Sequence, residues 1–275
     1  MIQYKAPGVT VFESALYRTT ATVIDTGGVI LIVDPNFLPQ EIRRIRCFID
    51  EIRKDRELYL LFTHSDYDHI LGWQAFPEAK VIASSAFANN SGKENILEQI
   101  RQFDEEYYIR RNYPIDYPVV DIEVAADGQV AELGEARLQL FLAPGHTADG
   151  IFIVVENTGA WIAGDYLSNI EFPFIYDSSY AYEQTLRNAS GLIDSHEPAL
   201  LIPGHGDVTL VKAEMRQRCE ESLEYLYNLR QAVQSGEGFP EEKLWQRYGN
   251  KRGLMAPHQE NLALVRRELE NRGFA

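Results

Sequence analysis

Four short polar loops constrain the fold of this chain more than any other sequence feature, because each directly follows an apolar segment of strand type. They are THSDYDH (63–69), PGHT (144–147), the GD of AGDYL (163–167) and PGHG (203–206). Four of the six histidines lie in them. A rigid scaffold presents polar groups to a common point from such loops. We therefore expect the four loops to meet at one edge of a β-structure.

The side chains in these loops are of the types that bind metal ions. Imidazole and carboxylate together form the ligand set that suits zinc, iron or manganese. In the first loop, His64 and Asp66 alternate, whereas Asp68 and His69 are adjacent at a strand-to-helix junction. One short loop can therefore reach two ions on different sides. A dinuclear metal site is the most economical prediction.

Strand-type and helix-type segments run through the chain twice in a similar order. Runs of β-branched and apolar residues predict strands at 21–26, 29–34, 58–62, 119–124, 136–142, 151–156, 160–165 and 199–202. Helical spacing of apolar residues predicts a helix after Pro39 and another over roughly 180–195. The tyrosine-rich and charged stretch from Phe87 to about Pro118 is predicted to be helical in part. An α/β fold of two packed sheets under outer helices follows.

The chain beyond Lys212 carries no convincing strand. Apolar residues at helical spacing mark one long helix that stops near Gly236, and a second helix between Pro257 and Gly273. We therefore divide the chain into a layered domain over 1–210 and a helical extension over 211–275 that packs on it.

Composition and charge limit the partners that this chain can have. Acidic residues outnumber basic ones by 41 to 26, which gives a formal net charge of −15. Such a field repels phosphate backbones and anionic membrane surfaces, so neither a nucleic acid nor a membrane is an expected partner. No stretch reaches the roughly 18 apolar residues of a spanning helix, and no signal segment is visible. A cytoplasmic location and a small-molecule substrate are expected.

The two cysteines point to the same compartment. Cys47 and Cys219 each lie in a helical pattern at positions that look apolar, and they form no CxxC pair. Both are predicted to be buried free thiols in a reducing cytoplasm.

The four loops together resemble the metal-binding loops of the metallo-β-lactamase superfamily, whose motif is HxHxDH followed by a lone histidine, a lone aspartate and a final histidine. The matching residues are His64, Asp66, Asp68 and His69, then His146 in PGHT, Asp165 in GD and His205 in PGHG. The resemblance covers residues 9 to about 210. It implies a four-layer αββα sandwich with the metals at one edge. The helical tail favours a glyoxalase-like or lactonase-like arrangement.

The resemblance also implies a role for each matching residue. His64, Asp66 and His146 would hold one metal ion, Asp68, His69 and His205 would hold the second, and Asp165 would bridge them. Asp68 is also the candidate catalytic residue. The nucleophile would be a hydroxide between the ions, because a metal lowers the pKa of its bound water from about 15.7 towards 7.

Asp66 departs from the superfamily motif, because it stands where the second histidine would be. Two divalent ions with Asp68, Asp165 and hydroxide leave a net charge of about +1, and a third carboxylate brings it to about zero. Carboxylate also shifts the preference towards harder ions. Flavodiiron proteins, a branch of the same superfamily, carry glutamate at the matching position and hold two irons. We expect two divalent ions per chain, with zinc first and iron or manganese as alternatives.

Three further residues are candidate substrate contacts. Tyr166 directly follows Asp165, although a packed aromatic ring is the safer interpretation. His258 and Asn261 lie three positions apart on one face of the last predicted helix. In glyoxalase-type thioesterases a C-terminal helical region lines the substrate site, which is why this pair is considered. Asp34 ends a strand near the expected metals and is predicted at most to support their ligands.

The leading hypothesis is a metal-dependent hydrolase that cleaves a small ester-like bond, with thioesters and lactones ahead of phosphodiesters. A true β-lactamase is disfavoured, since those enzymes are typically exported. The alternative prompted by Asp66 is a di-iron protein that binds or reduces O₂ or NO without hydrolysis. A metal-bound sensor or interaction module without a catalytic cycle is the third hypothesis.

Overall fold

Two β-sheets lie face to face in the structure of this protein, a computed structural model that describes residues 1–249 and 251–273. The first sheet contains, in spatial order, β1 (Ile2–Ala6), β2 (Val9–Glu13), β3 (Thr20–Asp25), β4 (Val29–Val33), β5 (Glu57–Leu61), β6 (Lys80–Ser84) and β7 (Ile122–Val124). The second sheet contains, in spatial order, β8 (Gln129–Leu133), β9 (Ala136–Leu142), β10 (Ile151–Val155), β11 (Ala160–Ile162) and β12 (Leu200–Ile202).

Helices cover the outer face of each sheet. They are α1 (Pro39–Arg53), α2 (Tyr67–Ile70), α3 (Ser85–Ala88), α4 (Lys93–Glu106), α5 (Ser179–Ser195), α6 (Lys212–Ser235), α7 (Glu241–Tyr248) and α8 (Lys251–Asn271). Apolar side chains of α1 and α4 share a core cluster with the first sheet, and those of α5, α6 and α8 share one with the second. No helix in the described ranges is long and apolar enough to cross a membrane.

The central strands show why four layers form. In β4 all five residues are buried. Leu31 and Val33 join the cluster between the sheets, whereas Ile30 and Ile32 join the cluster under the outer helices. Successive side chains of a strand point to opposite faces, so an unbroken apolar run requires cover on both faces. The predicted αββα sandwich is confirmed.

Backbone hydrogen bonds join the predicted polar loops across the two sheets. The loops follow the carboxyl ends of β5, β9, β11 and β12. The Ile151 amide donates to the Thr63 carbonyl at 2.8 Å, and the Thr20 amide donates to the Gly204 carbonyl at 2.7 Å. These bonds place loops from both sheets at one edge of the sandwich.

The C-terminal helices share a core with the second sheet. Met215 and Leu226 of α6 and Val265 of α8 belong to one apolar cluster with Trp161 and Leu201 of β11 and β12. Met215 and Leu201 are fully buried. The helices after residue 211 therefore pack on the sandwich through a continuous apolar contact.

Several elements differ from the sequence-based prediction. The strands β1, β2, β6 and β8 and the helix α7 were not predicted. β8 buries only alternate residues, and β1 buries none fully, so both depend on pairing with a neighbouring strand. α8 begins at Lys251 and contains Pro257 instead of starting after it. Leu254, in the helical turn before Pro257, is buried in the core, which favours a helix that begins earlier.

The prediction that both thiols are buried is wrong for Cys47, which is exposed, and Cys219 is buried. The helix α1 buries Ile42, Ile45 and Ile49. Cys47 follows Ile45 by two positions, which turns its side chain about 200° around the helix, away from the core.

Candidate metal centre

Four histidine side chains surround the carboxylate of Asp165. Its Oδ2 atom lies 3.2 Å from His205 Nε2, 3.3 Å from His146 Nε2 and 3.7 Å from His64 Nε2, and its Oδ1 atom lies 3.1 Å from His69 Nε2. These residues come from four loops in both sheets. The structure thus brings the separated motifs together around the aspartate that was predicted to bridge.

The remaining carboxylates divide the cluster into two groups. Asp66 Oδ2 lies 3.1 Å from His146 Nε2 and 3.8 Å from His64 Nε2. Asp68 Oδ2 lies 3.4 Å from His205 Nε2. The possible ligand atoms of His64, Asp66, His146 and Asp165 all fall within 4.8 Å of one another, as do those of Asp68, His69 and His205. The cluster therefore contains two groups of side chains that could each hold a metal ion.

Each of the four histidines is oriented by an oxygen atom at its other ring nitrogen. His64 Nδ1 lies 2.9 Å from Thr63 Oγ1, and His69 Nδ1 lies 3.0 Å from Asp34 Oδ2. His146 Nδ1 lies 2.8 Å from the Phe174 carbonyl, and His205 Nδ1 lies 2.9 Å from the Tyr17 carbonyl. A carbonyl or carboxylate oxygen only accepts, so Nδ1 donates there. The Nε2 lone pair is then directed to the centre, as a metal ligand requires.

Asp34 orients two of these histidines at once. Its Oδ2 atom accepts the Thr63 hydroxyl hydrogen at 2.6 Å as well as the His69 Nδ1 hydrogen. Because the hydroxyl hydrogen is used in that way, Thr63 Oγ1 accepts from His64. The Thr63 amide also donates to Asp34 Oδ1 at 2.9 Å. The predicted supporting residue thus determines which nitrogen of His64 and His69 faces the centre.

Three buried polar atoms at the centre have no hydrogen-bond partner among the described residues: His64 Nε2, His69 Nε2 and Asp165 Oδ1. Leaving such a group unsatisfied costs about 1–3 kcal/mol. Divalent cations would satisfy all three atoms, and the nitrogen and carboxylate donors are those that zinc, iron and manganese accept. The residues present fit a pair of such ions.

The charges at the centre attract positive charge. Burial opposes the protonated form of His205, but Asp165 and Glu171 outweigh it and raise its pKa to about 10. Burial and the neighbouring charge of His69 lower the pKa of His64 to about 3. Burial also opposes the anionic form of Asp165, but the histidines around it hold its pKa well below the usual range. The carboxylates thus favour positive charge at the centre, so bound cations would stabilise it.

Two glycines of the PGHT and PGHG loops are required by close backbone approaches. A Cβ atom on Gly204 would lie 2.1 Å from Asp165 Oδ1. Gly145 has a φ of +126°, and a Cβ atom there would lie 2.2 Å from the Tyr182 amide nitrogen. Only glycine allows these loops to bring His146 and His205 so close to the central aspartate.

A cavity of about 640 Å³ opens onto the carboxylates and two of the histidines. Most of its other lining is aromatic or apolar, with Tyr17, Tyr67, Phe174, Tyr176, Tyr248 and Leu254 among the residues. The last two come from the C-terminal helices. The extension therefore forms part of the cavity wall.

Comparison with known proteins identifies the family of the chain. A family model described as the metallo-β-lactamase superfamily matches residues 16–205, which is more than half of the chain. The chain belongs to this superfamily. No curated protein matched it in a sequence search.

Solved structures share the fold of this metallo-β-lactamase superfamily member. A metallo-β-lactamase family protein from Thermus thermophilus superposes with a TM-score of 0.66 at 18% identity, over 98% of this chain and 95% of that chain. The inverting sec-alkylsulfatase Pisa1 from Pseudomonas sp. superposes with a TM-score of 0.62 at 14% identity, over 84% and 42% of the two chains. At these identities the likeness shows the fold.

A redox protein has the same fold. Rubredoxin oxygen:oxidoreductase from Desulfovibrio gigas superposes with a TM-score of 0.55 at 13% identity, over 83% of this chain and 62% of that chain. The superfamily thus includes proteins named for hydrolysis and for oxidation and reduction.

The three predicted substrate contacts lie behind the cavity wall in this superfamily member. The Tyr166 hydroxyl donates to the Pro144 carbonyl at 2.8 Å and accepts from the His146 amide at 3.0 Å, so it supports the PGHT loop. The fully buried His258 pairs through Nδ1 with the Tyr225 hydroxyl at 2.9 Å.

Asn261 has a similar supporting position. It accepts from the Ile175 amide at 2.9 Å and donates to the Pro173 carbonyl at 2.6 Å. The face of α8 that carries His258 and Asn261 turns into the core, which is why neither side chain lines the cavity. Tyr248 and Leu254 line it instead.

Glu171 is a cavity residue that sequence reasoning missed. It lies in the loop after β11, and a carboxylate oxygen falls within 4.8 Å of ligand atoms of Asp165 and His205. Burial and the charges of Asp165 and Asp68, partly opposed by the histidines, raise its pKa to about 7. Glu171 belongs to no motif, and the one available signal was a lone acid in the apolar segment IEFPF.

Proposed function

We propose that this protein is a metal-dependent hydrolase that cleaves a small ester-like substrate, with thioesters and lactones favoured over phosphodiesters. The observation that carries the proposal is the convergence of four oriented histidine Nε2 atoms on Asp165 beside an open cavity. His64, Asp66 and His146 would hold one ion, Asp68, His69 and His205 the other, and Asp165 would bridge them. Divalent ions bound there would make hydroxide available at neutral pH and polarise the substrate carbonyl.

The chain's own residues prepare the centre for this chemistry. Asp34 and Thr63 accept from Nδ1 of His69 and His64, which leaves Nε2 of both rings directed to the centre. Asp68 lines the cavity 3.4 Å from His205 Nε2, where it could act on a bound substrate as an acid or base. These groups are largely buried, so the charges act on each other with little screening by solvent.

The cavity favours an uncharged substrate with an apolar part. Its volume is in the range of about 300–1,000 Å³ that suits small molecules. Arg18 is the one arginine or lysine in its described lining, and that guanidinium is already paired with Glu13 and Asp207. Apart from the proposed ions and their ligands, the described lining therefore offers no free cationic side chain to a phosphate group. This supports thioesters and lactones over phosphodiesters.

A second candidate function is a di-iron centre that binds or reduces O₂ or NO without hydrolysis. The position of Asp66, 3.1 Å from His146 Nε2, favours it, because a carboxylate ligand suits iron better than a second imidazole would. The fold shared with rubredoxin oxygen:oxidoreductase is compatible with it. Iron charge-transfer absorption in the purified protein would support this alternative, and a colourless zinc protein would contradict it.

The proposal includes a cytoplasmic location and the division at residue 210. The exposed thiol of Cys47 would stay reduced in that compartment. The shared apolar cluster supports a helical extension that packs on the layered domain instead of moving freely.

Hydrolysis is tested with a panel of thioesters, lactones and phosphodiesters, using protein loaded with zinc, manganese or iron. We expect turnover of thioesters or lactones, and a loss of at least about 100-fold in His205→Ala, because a ligand of one ion is removed. His196→Ala is the matched control, since His196 pairs with Gln139 away from the centre. Full metal loading without turnover of any ester would contradict the proposal and favour the sensor hypothesis.

A further inference from the structure

Glu171 stands at the cavity side of the proposed metal pair. Its carboxylate, an Asp165 oxygen and a His205 nitrogen all lie within 4.8 Å of one another. Two atoms on opposite sides of an ion with bonds of about 2.1 Å are about 4.2 Å apart. Ligands at tetrahedral angles are about 3.4 Å apart, so the three atoms would share one ion after side-chain shifts of about 1 Å.

Two buried atoms of the same centre support a cation site there independently of the acidic cluster. The Asp165 side chain is only 8% exposed, and its Oδ1 atom makes no hydrogen bond with the described residues. The Nε2 atom of His69, 3.1 Å from that oxygen, also forms no hydrogen bond with the described residues. The carboxylates of Asp165 and Asp68 repel that of Glu171, and a positive ion between them would relieve this repulsion.

The loop that carries Glu171 is fixed on both sides. The Asn169 side chain accepts from the Asp207 amide at 2.8 Å and donates to the Asp207 carboxylate at 2.9 Å. On the other side of Glu171, the Asn261 side chain donates to the Pro173 carbonyl and accepts from the Ile175 amide. The backbone around Glu171 is thus held at the cavity edge, which limits the entropy lost when the carboxylate binds an ion.

We propose that Glu171 is a further metal ligand, which binds the ion held by His205 and gives the centre four carboxylates. The inference rests on the proposed function, because it requires the same pair of ions. With the hydroxide counted, the charges of Asp66, Asp68, Asp165 and Glu171 bring two divalent ions to a net charge of about −1. A carboxylate-rich centre binds manganese or iron better relative to zinc than a histidine-rich centre does.

Metal retention tests this role without relying on activity. The wild type, Glu171→Gln and Glu171→Asp would be loaded with manganese or zinc and dialysed against chelators of increasing strength. Metal content would then be measured by elemental analysis. We expect the wild type to retain two ions and Glu171→Gln to bind one of them at least about tenfold more weakly. Its manganese-to-zinc affinity ratio should also fall, and Glu171→Asp should lie between the two.

The matched control is Glu260→Gln, which removes one negative charge from an exposed position on α8 outside the cavity lining. It should behave as the wild type. Thermal unfolding of the metal-free proteins separates a ligand from a structural residue, because Glu171→Gln should not lower their melting temperature.

Each outcome decides between the two proposals. Retention of two ions by Glu171→Gln with wild-type affinity would overturn the ligand role and leave the proposed hydrolase intact. A lower melting temperature of metal-free Glu171→Gln with unchanged metal affinity would assign Glu171 to the fold and also overturn it. A wild type that binds no ions would overturn the proposed function itself.

Discussion

Asp34 is a single buried side chain on which two proposed ligands depend. It accepts the Nδ1 hydrogen of His69 and the hydroxyl hydrogen of Thr63, and Thr63 in turn orients His64. Its φ of +49° is unusual for a residue with a side chain, although aspartate and asparagine tolerate it best. The position therefore requires a residue that tolerates a positive φ and whose side chain accepts hydrogen bonds.

Asp34→Asn tests this dependence, because asparagine keeps the shape and the backbone preference. The side-chain NH₂ group of asparagine would face the Thr63 hydroxyl and His69 Nδ1, which both donate to Asp34 Oδ2. His69 and His64 should therefore lose their orientation. We expect metal affinity to fall about 10–100-fold, measured by competition with a chelating dye. Asp50→Asn, on the exposed face of α1, is the control. Equal affinity in both variants would show that Asp34 does not act on the metals.

Loops after strands are the elements that build the centre, and their close packing depends on glycine. The Cβ of an alanine at position 204 would lie 2.1 Å from Asp165 Oδ1, which no rotation of that methyl group can relieve. Gly191, in the exposed part of α5, has nothing within 4 Å of the same position. The same substitution should therefore have opposite effects at these two glycines.

Gly204→Ala should displace Asp165, lower the free energy of unfolding by about 1–3 kcal/mol and reduce the number of retained ions. Gly191→Ala should instead stabilise the protein by about 0.5–1 kcal/mol, since alanine favours a helix. Denaturant unfolding and elemental analysis measure both effects. A Gly204→Ala protein with unchanged stability and metal content would refute the close approach.

The elements differ in how far local sequence could predict them. β4 and β10 are apolar on both faces, so their burial under two layers follows from sequence. His146 and His205 could be predicted as ligands because each lies in a short contiguous motif, PGHT or PGHG. β1 and β8 are not apolar enough to be recognised, because their strand structure comes from pairing with neighbours.

Glu171 and the cavity residues of the extension could not be predicted for a related reason. Glu171 meets His205 only through the fold, 34 positions along the chain, and no spacing rule connects them. The choice of His258 and Asn261 as substrate contacts used their shared helix face. That face turned towards the core, since α8 packs its apolar side on α6.

At the scale of the whole molecule, the C-terminal helices complete the core of the second sheet. Met215, Leu226, Leu229 and Val265 are each at most 1% exposed. Burying one such side chain contributes about 1.5–3 kcal/mol to stability. Exposing all four would therefore remove much of the free energy of unfolding of a typical domain, which is about 5–15 kcal/mol. The helices after residue 210 should therefore be needed for folding.

A chain that ends at residue 210 should consequently be insoluble or unfold without a cooperative transition, measured by thermal denaturation followed by circular dichroism. A chain shortened only after residue 271, which leaves α8 whole, is the control and should unfold as the full chain does. Cooperative unfolding of the 1–210 fragment near the wild-type temperature would show that the layered domain folds alone.

The metal content of protein purified without added metal tests the central claim most directly. We expect two divalent ions per chain by elemental analysis, one or fewer in His205→Ala, and a larger zinc share in Asp66→His because a carboxylate has been exchanged for imidazole. A folded wild-type protein that holds no ions, before or after incubation with zinc, manganese or iron, would contradict the account.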